Sequence, residues 1–449
     1  MRRGLLKIEK NKKFCHFVQP VEQNFLDFCR CSVIMQNMEN TSETFDRESF
    51  LAAFKKIYAS ADGVQLFASP ARINIIGEHI DYNGGKVFPA AIDRYMYFAI
   101  RKRDDTKIIY NDLQFEGTYA FDAGDDFSYA KENGYANYLN GILSIIKKRG
   151  CKLPSGFELL ITSTVPPAGG ISSSSALECG FAYAVSELFG LGLSRKDIAL
   201  IGQQSEHEFM NVKCGVMDQF IIATAKANTA ELLDCATLDC EYVPLEMGDY
   251  RFVVMNTKKK RQLADSKYNE RRSQCEEALA QLKAAALPLP AGGKFSNTKD
   301  LPDLCSLTAE QFESAKGAIS DPTILRRARH VVTENERVLK AVSALKAGDL
   351  EGLGKLLRAS HASLRDDYEV TGLELDTLFE TANAQEGCIG ARMTGAGFGG
   401  CAIAIVHKDK TEQFIKNVQE IYTQKIGHDA GFFACSPSAG VGTVKARFA

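Results

Sequence analysis

The run from Ser69 to Tyr82 constrains this chain more than any other segment. It reads Ser-Pro-Ala-Arg-Ile-Asn-Ile-Ile-Gly-Glu-His-Ile-Asp-Tyr, so an apolar core is followed at once by polar and charged groups. The apolar residues before it predict a strand that ends where the polar cluster begins. Loops at strand ends commonly carry binding groups, and Glu78, His79 and Asp81 offer hydrogen bonds that suit a polyhydroxylated ligand. We interpret the cluster as a binding site rather than as a capped turn with a surface ion pair.

The composition is that of a soluble globular protein with enough chain for two domains. Of its 449 residues, 45% are hydrophobic and 24% are charged, and the formal net charge is −2. The chain therefore lacks the excess of positive charge that is typical of nucleic-acid-binding proteins. No apolar run approaches the roughly 18 residues of a membrane span. We therefore expect neither a nucleic-acid nor a membrane partner, and we expect a monomer.

The thirteen cysteines are scattered through the chain and form no paired C-x-x-C units. Their spacing therefore predicts no zinc site. A long chain with scattered thiols is typical of a reducing compartment, so we expect a cytoplasmic protein. Cys214, beside residues 215–218, has the chemistry of a nucleophile, but we interpret it as a small packing residue.

Residues 1–43 differ from the rest of the chain because they begin with a basic stretch and lack periodicity. Polar residues interrupt every apolar stretch there, so the apolar core of about 7–15 residues that a signal peptide needs is missing. We expect this segment to be a poorly ordered extension, with Met35 and Met38 as alternative starts.

Beyond that extension, strand-like and helix-like patterns are mixed without strict alternation, which favours an α+β fold. We predict a first domain over residues 44–245 and a second over residues 246–449. Strands are predicted at 64–68, 86–101, 107–110, 157–164, 251–256 and 401–406. Helices are predicted from residue 45 onwards, at 135–148, 176–189, 262–285 and 323–347, and around Glu206 and Asp218.

A glycine- and serine-rich loop over residues 166–175 precedes the helix predicted at 176–189. Its glycine pair, Gly169 and Gly170, lets the backbone approach a ligand, and four serines follow. The free N–H groups at a helix N-terminus suit a phosphate group, and serine hydroxyls can cap the helix or coordinate magnesium. The loop lacks the Lys-Ser or Lys-Thr of a Walker A motif, and the protein-kinase signatures are absent from the sequence.

Two further segments add to this chemistry. Glu206 and Asp218 supply carboxylates, one to hold a metal and the other to accept a proton or stabilise charge; exposed helix carboxylates are the alternative. Residues 393–400 carry a glycine-rich pattern that brings backbone close to a ligand, although a plain strand-entry turn would look similar.

Together these segments resemble the GHMP kinase superfamily and, within it, the galactokinase family most closely. Residues 72–82 resemble the family's sugar-binding signature, 167–174 its phosphate loop, 214–219 the segment with the catalytic aspartate and 393–400 its third motif. The likeness runs from about residue 45 to the C-terminus. It implies a two-domain architecture with the active site in the cleft between the domains.

The resemblance also implies a role for each matching residue. Asp218 would be the catalytic base, and Arg72 would stabilise the charge that develops. Substrate-binding residues would be Glu78, His79, Ile80, Asp81, Gly215 and Tyr268. Nucleotide-binding residues would be Tyr135, Tyr138, Ala168, Gly169, Gly170, Ile171, Ser172, Ser173 and Ser174. Ser174 and Glu206 would hold Mg²⁺ against the phosphates of ATP.

The activity implied is ATP-dependent phosphorylation of the anomeric hydroxyl of galactose, the first committed step of galactose catabolism. One alternative is a kinase for a related sugar such as N-acetylgalactosamine, because the width of the pocket at the second sugar carbon is not readable from the sequence. A second alternative is a non-catalytic galactose sensor. The uninterrupted Ser175-Ala176 step, Asp218 and Arg72 all argue against the sensor.

Overall fold

Two β-sheets organise the fold. A computed structural model describes residues 45–166, 170–259 and 264–444, so the predicted extension at residues 1–43 lies outside the described residues. The strands are β1 (Gln65–Ile76), β2 (Lys86–Lys102), β3 (Lys107–Asp112), β4 (Tyr119–Asp122), β5 (Phe157–Ser163), β6 (Thr229–Asp234), β7 (Asp239–Pro244), β8 (Tyr250–Asn256), β9 (Cys388–Thr394), β10 (Cys401–His407), β11 (Gly431–Cys435) and β12 (Gly442–Thr443).

The larger sheet has eight strands in the order β12-β1-β2-β5-β3-β4, with β6 paired to β2 and β7 to β6. Strands β3 and β5 run parallel, and the other neighbours run antiparallel. The smaller sheet has the order β11-β8-β10-β9 and is antiparallel throughout. Within the described residues, this mixture of mainly antiparallel sheets and separate helices confirms the predicted α+β class.

The helices pack against these sheets. They are α1 (Arg47–Tyr58), α2 (Ala136–Lys148), α3 (Ser173–Phe189), α4 (Arg195–Glu208), α5 (Met217–Thr224), α6 (Ala264–Ala285), α7 (Ala309–Ala315), α8 (Pro322–Lys346), α9 (Leu350–Asp366), α10 (Leu373–Asn383) and α11 (Thr411–Ile426). Six short 3₁₀ turns also lie in the described residues, one of them at Asp81–Asn83. From Asp46 onwards the chain forms one compact unit. No helix among the described residues is long and apolar enough to cross a membrane.

Strand β1 ends where its polar cluster begins, as predicted. From Leu66 to Ile76 every residue of β1 is buried. The turn at Gly77 has a φ of +106°, and a Cβ there would lie 2.9 Å from Val338 and 3.1 Å from Val87. Only glycine suits both the dihedral angle and the space. The chain therefore leaves the sheet at one fixed point and delivers residues 78–82 to the sheet edge.

Helix α3 begins at Ser173, three residues earlier than predicted, so that Ser173 to Ser175 form its first turn. The helix is almost entirely buried, and a Cβ at Gly180 would lie 2.3 Å from the ring of Phe98 on β2. This close approach explains a glycine inside an apolar helix. It also presses the N-terminus of α3 against the sheet beside β1.

The sequence patterns did not predict β4, β6 and β7 in the first half of the chain, or α7, α9, α10, α11, β9, β11 and β12 in the second half. Several side chains join the two halves, and Thr394 is one of them. Thr394, at the end of β9, accepts a hydrogen bond from the backbone N–H of Asn74 at 3.0 Å and donates one to the Asn74 carbonyl at 3.1 Å. The end of β9 is thereby held beside β1, close to the polar cluster.

Candidate active site

An open cavity of about 220 Å³ brings the four predicted segments together. Of the residues predicted to act, those lining it are Arg72, Glu78, His79, Asp81, Tyr138, Gly170, Ser172, Ser173, Ser174, Glu206, Gly215, Asp218 and Tyr268. Gly395 and Ala396 of the glycine-rich segment complete the wall. Both halves of the chain therefore contribute to the cavity, as a cleft between two domains requires.

Three of the predicted residues lie away from the cavity surface, and two cannot be placed. Ile80 and Ile171 are buried in the core, at 0% and 1% exposure. Tyr135 lies just before α2 and packs edge-on against Tyr119, with ring centroids 5.2 Å apart. Ala168 and Gly169 lie outside the described residues. The two isoleucines therefore support the loops on either side of the cavity rather than forming its surface.

The centre of the cavity is an ion pair between Arg72 and Asp218. The Arg72 guanidinium on β1 donates from Nε to Oδ1 of Asp218 at 2.8 Å and from Nη2 to Oδ2 at 2.7 Å. Its third donor, Nη1, bonds to the carbonyl of Gly170 at 2.9 Å. Burial lowers the pKa of Arg72, but the adjacent Asp218 carboxylate outweighs it and raises the pKa above its ordinary value. The two parallel hydrogen bonds fix the orientation of the guanidinium and of the carboxylate relative to each other. The third bond, to Gly170, connects this pair to the phosphate loop.

Ser172 supplies a third hydrogen bond to the same carboxylate, donating from Oγ to Oδ2 of Asp218. It occupies the N-cap position of α3 but makes no side-chain capping bond, and its φ is +62°. A serine normally uses its oxygen there to accept from the first helical N–H groups. Because Ser172 turns its hydroxyl to Asp218 instead, the backbone N–H groups at the start of α3 are left for another acceptor.

Glu78 lies at the junction of the two halves and is only 2% exposed. Its Oε1 accepts a hydrogen bond from the backbone N–H of Gly395 at 2.7 Å and lies 3.5 Å from Nη1 of Arg392. Arg392 also donates to the carbonyls of Asn74 and Ile75, at 3.2 and 3.1 Å. Burial raises the pKa of Glu78, although the arginine charges oppose that shift. The glycine-rich segment is thus fastened to the sugar-signature loop.

Asp81 and Gly215 meet on the opposite wall. A Cβ at Gly215 would lie only 1.8 Å from Oδ2 of Asp81, so any side chain there would displace this carboxylate. Removal from water raises the pKa of Asp81 to about 7, and the nearby charge of Asp218 adds to the shift. The Asp81 carboxylate and the Gly215 backbone therefore form one continuous polar surface.

Aromatic rings close the side of the cavity near His79. The ring of Tyr268, on α6, lies 5.3 Å from the rings of both His79 and Tyr82. Burial raises the pKa of the Tyr268 phenol well above its ordinary value. Tyr268 therefore stays neutral and can offer its hydroxyl or its ring face to a ligand.

The opposite end of the cavity is built by helix ends. Ser173 and Ser174 stand on the first turn of α3, and Glu206 lies near the end of α4 at 7% exposure. Glu178, one turn further along α3 from Ser174, is fully buried beside the side chains of Ser205 and Gln219. Burial, and next the charge of Glu206, raises the pKa of Glu178 well above its ordinary value.

Comparison with known families and proteins agrees with this geometry. The galactokinase galactose-binding signature matches residues 52–102, the N-terminal domain of the GHMP kinases residues 137–226, and the GHMP C-terminal domain residues 341–424. A galactokinase of Clostridium beijerinckii is 45% identical over 389 residues, which covers 86% of this chain and 96% of that protein. The chain belongs to the galactokinase family.

Solved structures agree with this membership. A crystal structure of Lactococcus lactis galactokinase complexed with galactose superposes with a TM-score of 0.84 at 41% identity and covers 88% of this chain and 99% of that one. A Clostridium perfringens galactokinase is 48% identical over 83% of the chain. Mevalonate kinase of Methanococcus jannaschii, at 18% identity and a TM-score of 0.60, shares the fold alone.

The galactokinase family implies a magnesium ion, and the residues of this chain fit one. The described residues hold no group of three or more His, Cys, Asp or Glu side chains that could hold a metal by itself. Mg²⁺, however, usually takes only one or two protein carboxylates together with substrate phosphates. The buried carboxyl group of Glu178 lies near Glu206, and a divalent cation bound there would favour its ionised form against the burial that raises its pKa.

The sequence reading missed several residues that shape this galactokinase-family site. It named Ser172 as a nucleotide ligand and overlooked its bond to Asp218. It also passed over Arg392, His330, Thr394 and Glu178. Glu178 alone had a local signal, because a charged residue inside the apolar helix predicted over 176–189 stands out. The contacts of the other three cross hundreds of residues of chain.

Proposed function

We propose that this chain phosphorylates galactose on its anomeric hydroxyl with ATP as the phosphoryl donor. The observation that carries the proposal is the Arg72–Asp218 pair, which lies in a single cavity between the sugar-signature residues and the serine-rich helix N-terminus. Phosphoryl transfer depends mainly on aligning two substrates and stabilising charge. A fixed charge pair between two different polar surfaces suits that task.

The sugar binds at the end of the cavity formed by Glu78, Asp81, Gly215 and Tyr268. The carboxylates there can accept hydrogen bonds from several hydroxyl groups, and the ring of Tyr268 covers an apolar face of the sugar. The Lactococcus lactis relative was solved with galactose, which supports galactose as the substrate of this chain.

Asp218 acts on the anomeric hydroxyl. Its carboxylate accepts the hydroxyl hydrogen and orients the oxygen for attack, and Arg72 stabilises the negative charge that develops on that oxygen. Because Arg72 and Ser172 hold the carboxylate in place before substrate arrives, little reorganisation is needed at the moment of transfer.

ATP phosphates bind at the N-terminus of α3, where the backbone N–H groups and the helix dipole attract anions. Ser174 and Glu206 would hold Mg²⁺ there, and the ion would neutralise phosphate charge. Tyr138 lines the cavity on the nucleotide side, and Tyr135 supports the same segment from behind.

The test is ATP consumption with a panel of sugars that includes galactose and N-acetylgalactosamine. We expect turnover with galactose and the appearance of galactose 1-phosphate. Turnover with N-acetylgalactosamine alone would assign the related-sugar alternative. Binding of galactose by calorimetry without turnover of any sugar would favour the sensor and refute the proposed activity.

Three predictions about the whole protein remain proposals. A cytoplasmic location is supported by the described cysteines, which are free thiols. Residues 44–245 and 246–449 as the two domains are supported by the separate sheets that each range mainly supplies. A monomer is the third, and sedimentation of the purified protein would test it.

A further inference from the structure

A chain of hydrogen bonds runs from α6 to the glycine-rich segment and passes through His79. The Sγ of Cys275 lies 3.1 Å from the hydroxyl of Tyr368, which lies 2.8 Å from the hydroxyl of Tyr82. Tyr82 Oη is 2.8 Å from Nδ1 of His79, and Nε2 of His79 is 3.1 Å from the carbonyl oxygen of Ala396. His79 and Tyr82 share the loop after β1, and the other three groups come from three further segments of the chain.

The acceptor at one end fixes the direction of this chain. A carbonyl oxygen can only accept, so Nε2 of His79 carries a proton and donates it to Ala396. His79 is 4% exposed, and burial lowers its pKa to about 3, so the ring is neutral and Nδ1 must accept. Tyr82 therefore donates to His79, which leaves the Tyr82 oxygen to accept from Tyr368.

At the far end of the chain, Tyr368 has already donated its hydroxyl hydrogen to Tyr82. Its oxygen therefore accepts a hydrogen bond from the S–H group of Cys275. Burial raises the pKa of Cys275 to about 11, and it raises the pKa values of Tyr82 and Tyr368 well above their ordinary range. Every member of the chain is therefore neutral at physiological pH. Both ring nitrogens of His79 are consequently occupied within the protein.

We propose that His79 is a positioning residue whose imidazole fastens the Gly395-Ala396 turn to the sugar-signature loop, and that its nitrogens do not bind the sugar. This inference rests on the proposed function for the identity of the two substrates. Its basis is the hydrogen-bond chain, which leaves neither ring nitrogen available to a hydroxyl group.

The turn that His79 holds reaches the other substrate. Gly395 donates its N–H to Glu78, and a Cβ at Gly395 would lie 2.6 Å from the carbonyl of Gly170. That carbonyl in turn accepts from Arg72 at 2.9 Å. His79 and Glu78 therefore clamp one turn from both sides, and that turn presses on the phosphate loop. Loss of the His79 contact should disturb ATP more than galactose.

The first test is the tautomer of His79, read by nitrogen-15 NMR of the imidazole in protein labelled only at its seven histidines. The signal is assigned by its loss in His79→Asn or His79→Gln. We expect the neutral form protonated at Nε2, unchanged on addition of galactose. A proton on Nδ1, or a change of tautomer when galactose binds, would overturn the proposal.

The second test uses two substitutions that each keep half of the ring's contacts. Asparagine places its amide near Nδ1 and keeps an acceptor for Tyr82, and it tolerates the φ of +62° at this position. Glutamine reaches further and keeps a donor for Ala396. We expect His79→Asn to raise KM for ATP about tenfold, which corresponds to about 1.4 kcal/mol, and His79→Gln to raise it less.

Galactose affinity, measured by calorimetry without nucleotide, should change less than threefold in His79→Asn. A larger loss of galactose affinity than of ATP affinity in both variants would assign the ring to the sugar and refute the positioning role. Failure of the wild-type protein to phosphorylate galactose would refute the proposed function alone, because the tautomer is measured on the resting protein.

A third comparison tests the direction of the chain. Tyr82→Phe leaves the buried Nδ1 without a donor, whereas Tyr368→Phe keeps the bond from Tyr82 to His79. We expect Tyr82→Phe to raise KM for ATP more than Tyr368→Phe does, since an unpaired buried acceptor is the costlier defect. The reverse order would contradict the assigned direction.

Discussion

The sugar end and the phosphate end of the cavity differ in how their polar side chains are held. At the sugar end, Glu78 and His79 already make hydrogen bonds to the glycine-rich segment, and Asp81 touches the backbone of Gly215. At the phosphate end, the serine-rich first turn of α3 precedes Glu178, a buried carboxyl group whose pKa is raised first by burial and then by the charge of Glu206.

This difference separates recognition by shape from recognition by charge. A sugar is neutral, so its site must present oriented acceptors at fixed positions, and contacts between protein groups provide that order. A magnesium–nucleotide complex is highly charged. A helix dipole and a few oxygen ligands can attract it even where the surrounding side chains are not all fixed by contacts with one another. We expect substitutions at the sugar end to act through geometry and those at the phosphate end to act through charge.

The largest effect is expected where the two ends meet. Asp218→Asn keeps the size of the side chain but removes its ability to accept a proton, so kcat should fall by about 10²–10⁴-fold. The measurement is steady-state phosphorylation of galactose. Galactose binding by calorimetry should stay within a few fold of wild type, since the sugar frame is intact. Activity within tenfold of wild type would contradict the role assigned to Asp218.

The next effect tests the fixed geometry of the sugar end. Gly215→Ala would place a methyl group 1.8 Å from the Asp81 carboxylate, so the two must move apart. Because displacements of about 1 Å can cost about 100-fold, we expect KM for galactose to rise by about that factor. KM for ATP should change much less. Gly317→Ala is the control, since a Cβ there meets nothing within 4 Å.

A smaller effect concerns pH at the same end. The pKa of Asp81 is raised to about 7, first by burial and then by the charge of Asp218. If the ionised carboxylate accepts the sugar hydroxyls, galactose should bind more tightly as pH rises from 6 to 8, by up to about tenfold per unit below the pKa. Calorimetric titrations across this range measure the effect.

Asp81→Asn should bind galactose more weakly and lose the pH dependence, because its amide does not titrate. A wild-type affinity that stays constant from pH 6 to 8 would show that the protonated acid serves equally well. The ATP affinity of the wild type provides an internal comparison, since Asp81 faces the sugar end.

Much of the architecture could be predicted from local patterns. The limits of α2, β5 and β8 came within one residue of the structure, because apolar periodicity marks them, whereas the strand predicted at 64–68 continues to Ile76. Helix α9 was missed although Leu353, Leu357 and Leu364 line its buried face at helical spacing. The spacing of these leucines is sufficient to predict the helix.

The contacts inside the site are harder to predict. Arg392 lies in a strand pattern and reaches carbonyls more than 300 residues earlier, which no local pattern encodes. Ser172 was predicted to bind the nucleotide, and only the packed fold turns its hydroxyl to Asp218. His79 was predicted to bind the sugar because it lies between Glu78 and Asp81, which offer hydrogen bonds to hydroxyl groups. The bonds that occupy both its nitrogens come from the 3₁₀ turn after it and from the glycine-rich segment.

The smallest expected effect tests charge at the phosphate end. Glu178→Gln removes a buried ionisable group whose folded pKa lies above its unfolded value, so ionisation destabilises the fold as pH rises above about 4.3. The variant should therefore gain stability over wild type, by roughly 2 °C in Tm, and more at pH 8.5 than at pH 6. Differential scanning calorimetry of the ligand-free protein measures this gain.

The same substitution should weaken the magnesium–nucleotide complex, because a bound cation favours the ionised form of a nearby carboxyl group and the amide cannot ionise. The stabilisation of the protein by added ATP and Mg²⁺ should accordingly fall by a few fold in apparent affinity. Glu187→Gln is the matched control, since Glu187 is exposed on the same helix and should change neither quantity. If Glu178→Gln lowered the stability of the ligand-free protein, Glu178 would be a structural hydrogen-bonding group. The phosphate end would then be as fully connected as the sugar end, and the contrast between them would disappear.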